Sequence, residues 1–117
     1  MPFLAIKTNK VLTPEQKERL ADRIGELVSI IPNKRKEILM VDVEDGHTIY
    51  FRGTINHDCA LAALSCYQAA PYEKNREFTE KMMNVISEEL EIPVPEIYVT
   101  IMEMPVWGSG GTLKKAP

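Results

Sequence analysis

The segment Ile92-Pro93-Val94-Pro95-Glu96-Ile97-Tyr98-Val99-Thr100-Ile101-Met102-Glu103-Met104 decides the fold, because the chain uses the same join earlier. There, Ile31-Pro32 closes a helical pattern and leads into Glu37-Ile38-Leu39-Met40-Val41-Asp42-Val43-Glu44. In both places proline cannot continue a helix, and β-branched residues take over in an extended run. Upstream of the first join, Thr13-Pro14-Glu15-Gln16 predicts a helix start with an N-cap, proline at the first helical position and a capping-box glutamine. Leu20, Ala21, Ile24, Leu27, Val28 and Ile31 then recur at helical spacing, with Gly25 a small weakness, until Pro32-Asn33 stops them. Upstream of the second join the spacing predicts a helix from Tyr72 to Leu90, with Phe78, Met82, Val85, Ile86 and Leu90 on one face.

Residues 2–7 and Cys59 to Tyr67 supply a strand before each helix, although the alanines of the latter alone would permit helix. The chain therefore reads as one α+β domain over residues 1–117, a β-α-β unit used twice in one mixed sheet. Two further expectations concern the joins. Asp45-Gly46 predicts a hairpin that returns through a short strand, Thr48 to Phe51, and Gly108-Ser109-Gly110-Gly111 predicts a flexible turn before a basic tail.

Right-handed crossovers place both helices on the same side of the sheet. A monomer would then need a polar opposite side. Instead Tyr98, Thr100, Met102 and Met104 alternate with Ile97, Val99 and Ile101, and Leu61 and Ala63 alternate with Ala60, Ala62 and Leu64. Apolar residues on both faces, with helices on one, predict a sheet that packs against copies of itself in a closed homo-oligomer.

Composition narrows the partners. A net charge of −3 argues against a phosphate-tracking surface, so nucleic acid is not an expected partner. The uncharged run from Cys59 to Tyr72 falls short of the roughly 18–20 apolar residues that span a bilayer, so no membrane segment is expected. Lys7 and Lys10 interrupt any secretory signal, which leads to an expectation of a cytoplasmic protein, with export lacking a signal peptide left open. On one extended segment Cys59 and Cys66 would be about 23 Å apart, too far for a disulfide, and read as buried apolar residues. His47 and His57 lie in turn-like stretches without companions at metal-ligand spacing, so neither a metal nor a cofactor is expected.

The chemistry is expected at Pro2. A small second residue allows Met1 to be trimmed, and Pro2 would then carry a secondary amine that can take a proton. An α-amino group titrates near about 8 in peptides. Burial beside another cation lowers that value toward neutrality, where a general base works best. From its neighbours alone, Pro2 is equally a residue tolerated at the open end of a first strand.

Pro2-Phe3-Leu4 with Thr8-Asn9, then Cys59-Ala60-Leu61, Asn75-Arg76 at the second helix and Ile97-Tyr98 in the last strand lie in an order the doubled unit accommodates. With them the chain resembles the macrophage migration inhibitory factor and D-dopachrome tautomerase family of the tautomerase superfamily, over nearly its full length. The resemblance implies a homotrimer around a central channel, with a pocket at each subunit boundary. It also implies a cofactor-independent keto–enol tautomerase of small aromatic α-keto acids such as phenylpyruvate, with Pro2 as catalytic base.

By the same resemblance Lys34 holds the substrate carboxylate and helps keep the Pro2 amine neutral. Read alone, Lys34-Arg35-Lys36 is equally a solvated loop, and Arg35 substitutes for Lys34 if the register shifts by one. Tyr67 matches a position that gives a backbone hydrogen bond to substrate. Tyr98 matches a pocket tyrosine supplied by a neighbouring subunit, and is otherwise an interface aromatic. Thr100 stands where asparagine is usual and loses the amide's paired donor and acceptor. Val106 and Trp107 match an apolar pocket wall, and Phe3 sits at the mouth beside Pro2.

Two departures qualify the resemblance. Cys59-Ala60-Leu61-Ala62 lacks the Cys-x-x-Cys of members with proposed thiol-redox activity, so that activity is not expected. Leu113 lies near a usual phenylalanine, followed by a Lys114-Lys115 extension. Besides the enzyme, a cytokine-like binding protein with a vestigial pocket and a protein receptor as partner stays open. A hydratase or dehalogenase using the same amine is a third reading.

Overall fold

The computed structural model describes all 117 residues. Strand β1 (Pro2–Thr8) leads to helix α1 (Pro14–Leu27) and strand β2 (Met40–Glu44); strand β3 (Ala60–Tyr67) leads to helix α2 (Tyr72–Leu90) and strand β4 (Ile97–Met104). A closing ribbon is formed by β5 (Val106–Ser109) and β6 (Thr112–Lys115). The four-stranded sheet has the order β2-β1-β3-β4, with β1 and β2 parallel, β1 and β3 antiparallel, and β3 and β4 parallel. This is the predicted doubled β-α-β unit, its halves meeting at the β1–β3 pair.

Local chemistry explains the elements. Thr13 accepts from the Gln16 N–H at 3.1 Å and the Gln16 side chain accepts from the Thr13 N–H at 2.9 Å, completing the capping box. Helix α2 has no side-chain cap; Glu103 of β4 instead accepts from the Ala70 N–H and the Asn75 amide, tying the helix start to the sheet. Leu20, Ile24 and Val28 on one side and Phe78, Met82, Ile86 and Leu90 on the other close over Leu4, Ile6, Ala62 and Leu64 in one core. Arg19 and Arg23 of α1 clasp Glu89 of α2 above it.

Three expectations are corrected. The strand expected from Glu37 begins only at Met40, because Lys36–Ile38 form a 3-10 turn whose Lys36 ammonium is held by Asp22 and Glu26 of α1. Gly25 makes this possible: a Cβ there would lie 2.8 Å from the Lys36 Cγ. The Asp45-Gly46 hairpin and the Thr48–Phe51 strand do not form; only a Phe51–Thr54 bridge remains. Asp45 turns back to α1 instead, accepting from the Leu12 N–H at 2.8 Å and pairing with Lys17 at 3.0 Å, while the Gly46 N–H donates to the Lys10 carbonyl. The basic tail is not a tail but strand β6, because Gly110 and Gly111 both take positive φ and close a tight hairpin.

The helix-free side of the sheet is apolar, as the alternation implied. Met40, Tyr98 and Met102 stand more than half exposed there, with Leu61 at 37%. Cys59 and Cys66 are buried free thiols. No helix is long and apolar enough to cross a membrane.

Candidate active site

One end of the sheet gathers the expected chemistry. Pro2 opens β1 and is buried, paired across the antiparallel ladder with Cys66. The next residue of β3, Tyr67, is gripped from two directions. Its carbonyl accepts from the Lys34 ammonium at 2.9 Å, and its N–H donates to the Met1 carbonyl at 3.3 Å.

Lys34 reaches this point because α1 ends in a 3-10 turn at Val28–Ile30 and the chain reverses through Asn33 at φ 65. The Lys34 N–H donates to the Ile31 carbonyl, which turns the side chain inward. Only 9% of Lys34 is exposed. The solvated-loop reading therefore fails for Lys34, which is buried, whereas Arg35 beside it is exposed.

Electrostatics follow the geometry. The charged terminus belongs to Met1, one residue before the proline nitrogen. Its pKa is pushed below the usual 8.0, first by burial and next by the Lys34 charge, with smaller contributions from Lys114 and Arg35; Cys66 opposes the change. Burial pushes the Cys66 thiol up, against the pull of Lys34 and the terminal amine. Burial thus favours the neutral thiol of Cys66 over the thiolate.

The other predicted residues divide into two groups. Trp107, partly buried, and Val106, at 43% exposure, lie on β5 just beyond Met104, whose carbonyl accepts from the Gln68 N–H beside Tyr67. Phe3 follows Pro2, but strand alternation turns it to the helix-free face with Ser65. Tyr98 and Thr100 are elsewhere. Tyr98 pairs with Leu61 at one end of β4, whereas Cys66 pairs with Glu103 near the other, a separation of about 17 Å along the strand. A single chain does not bring Tyr98 to Pro2. None of its five principal cavities includes Pro2 or Lys34 in its lining.

Thr8 and Asn9 have a structural role. The Thr8 hydroxyl donates to the Cys59 carbonyl at 2.8 Å, and Asn9 accepts from the Cys59 N–H while donating to the His57 carbonyl. They lock the start of β3 beside β1, which sets the register that puts Cys66 and Tyr67 opposite the N-terminus.

The family model for macrophage migration inhibitory factor matches residues 1–113. The chain belongs to the macrophage migration inhibitory factor family. Solved structures of the tautomerase superfamily share its fold. Leishmania major MIF2 is 23% identical with a TM-score of 0.89, over 97% of each chain. The MIF-like protein of Entamoeba histolytica is 18% identical with a TM-score of 0.83, covering 97% of this chain and 98% of its own. Pt0534, captured after inactivation by 2-oxo-3-pentynoate, is 18% identical with a TM-score of 0.83 over 93% of each chain. Among curated proteins no sequence match is found.

Sequence reasoning missed Lys114. The signal was present: Gly110-Gly111 between two short alternating runs marks a two-residue hairpin, which sets Lys114 directly across from Trp107.

Proposed function

We propose that the protein is a homotrimeric, cofactor-independent keto–enol tautomerase of small aromatic 2-oxo acids such as phenylpyruvate, with Pro2 as general base. The carrying observation is Lys34: a buried cation whose hydrogen bond goes to a neutral carbonyl, beside a terminal amine whose pKa it lowers. A buried charge lacking a counter-ion is costly unless an anion arrives to meet it.

In this reading removal of Met1 exposes the Pro2 nitrogen and frees the Tyr67 N–H now engaged by the Met1 carbonyl. Lys34 pairs with the substrate carboxylate. Pro2 takes a proton from the carbon next to the 2-oxo group, the electrons shift to form the enolate, and the proton returns at oxygen; no co-reactant is needed. The Tyr67 N–H donates to the developing oxyanion. Val106, Trp107 and Phe3 shield the aromatic ring, and Tyr98 and Thr100 come from a neighbouring copy, Tyr98 being too far away in the same chain.

The inactivation of Pt0534 by a 2-oxo acid supports this substrate class. The test compares phenylpyruvate turnover by native protein, Pro2→Gly and a form that retains Met1. Turnover is expected only in the first, and equal rates in all three would remove Pro2 as base.

A further inference from the structure

The site as drawn sets one cation, Lys34, against one carboxylate and leaves two neighbouring positive charges unused. Most Lys and Arg side chains of this protein lie beside a carboxylate, among them Lys17 with Asp45, Lys36 with Glu26 and Arg23 with Glu88. Lys34, Arg35 and Lys114 have no such partner, as Lys74 and Lys115 also have none, but the first three lie toward the Pro2 end of the sheet.

The backbone sets their placement. Arg35 directly follows Lys34 and leads into the 3-10 turn at Lys36–Ile38. Lys114 is the cross-strand partner of Trp107, and directly paired residues project from the same face of a ribbon. Lys115, paired with Val106, projects from the other. The ribbon begins next to Met104, which is joined to Gln68 and hence to Tyr67. The fields of Lys114 and Arg35 reach the terminal amine together with that of Lys34. Glu103, across from Cys66, does not answer them, because its Oε2 already accepts from the Ala70 N–H and the Asn75 amide.

We propose that Arg35 and Lys114 form a second anion subsite beside Lys34, so that the preferred substrate is a 2-oxo acid carrying a second carboxylate. Like charges held near one another repel, and a dianion relieves that repulsion more fully than a monoanion. Lys34 holds the carboxylate next to the 2-oxo group, Trp107 covers the apolar body, and Lys114 on the same ribbon face meets the remote carboxylate with Arg35. The inference rests on reading the Pro2 end as a 2-oxo acid site.

Calorimetric titration of the native protein with phenylpyruvate and with (4-carboxyphenyl)pyruvate tests it without relying on turnover. The dianion should bind about tenfold more tightly at low salt. Arg35→Gln and Lys114→Gln should each cut that preference about threefold, as expected for losing one partly exposed charge pair, and together bring it near parity. Lys115→Gln removes the same charge one residue along and should leave the preference standing. Equal binding of the two acids by native protein, or an equal loss in Lys115→Gln, overturns the subsite. A preference that follows Lys114 in a protein lacking Pro2-dependent turnover supports the subsite and removes only the tautomerase reading.

Discussion

Lys34 donates its ammonium to the Tyr67 carbonyl at 2.9 Å, and no carboxylate of the chain stands beside it. A buried cation is normally paired, so an arrangement offering it one neutral acceptor sacrifices stability for a place where an anion can bind.

Replacing Lys34 with Ala should therefore raise KM for phenylpyruvate by about tenfold or more, the worth of a hydrogen bond to a charged group. The methyl ester, which has no carboxylate to lose, should suffer much less. Lys34→Met keeps the length without the charge, and urea denaturation should find it at least as stable as native protein. A matching KM rise for acid and ester would show that Lys34 holds something other than the carboxylate.

Asp45 provides a test of the fold independent of the site. Its pKa is lowered first by the Leu12 N–H and then by Lys17, so its ionised form is favoured in the folded chain. A carboxylate depressed on folding contributes stability above its unfolded pKa, and loses it as pH falls through the folded value. Asp45→Asn should thus lower the Tm at neutral pH, and the deficit should shrink once pH drops below 3.8, the ordinary value for this group. Thermal melts at matched protein concentration across that range would check it, and a deficit that does not change with pH would show that the turn rests on shape rather than charge.

The residues show where the sequence was legible. Helix α2 has the predicted range and buried face because its pattern is long, periodic and free of competing turn chemistry. The doubled unit was visible for the same reason. The Asp45-Gly46 turn misled because the local hairpin signal met a stronger tertiary demand: Asp45 is needed by the Leu12 N–H and Lys17, far away in sequence. Pro2 and Lys34 could be singled out as a chemically apt pair, but the hydrogen bonds by which the Tyr67 backbone holds Lys34 and the Met1 carbonyl are invisible to any side-chain pattern. Lys114 was read as part of a tail because the Gly110-Gly111 hairpin signal was taken for a flexible turn, and the four-residue strand after it is too short to correct that reading by its own periodicity.

The helix-free face predicts how assembly and activity are linked. Leu61 sits there, 37% exposed, paired with Lys7 on one side and Tyr98 on the other, and distant from Pro2 along the strands. Leu61→Asp would bury an unpaired charge wherever this face packs against another copy. If the protein is the proposed trimer, sedimentation should show the mass fall from three chains toward one, and phenylpyruvate turnover should fall with it because Tyr98 would no longer reach a neighbour's pocket. Turnover that survives in a monomeric variant would mean that one chain suffices.

The pH profile of turnover should report the base directly. Only the neutral amine accepts a proton, so kcat/KM should rise with pH through the pKa of the free enzyme's base. That limb should lie below the ordinary range of an α-amino group, since the Pro2 nitrogen would meet the same surroundings, burial first and then Lys34, that lower the Met1 amine beside it. Measured with the methyl ester, so that carboxylate binding does not intrude, Lys34→Ala should move the limb to higher pH. It should stop short of the ordinary value, because burial remains. Lys114→Gln should move it the same way by a smaller amount, matching the order of the two charges' effects. A limb that stays in place in both variants would mean that the group titrating in turnover is not the N-terminal nitrogen.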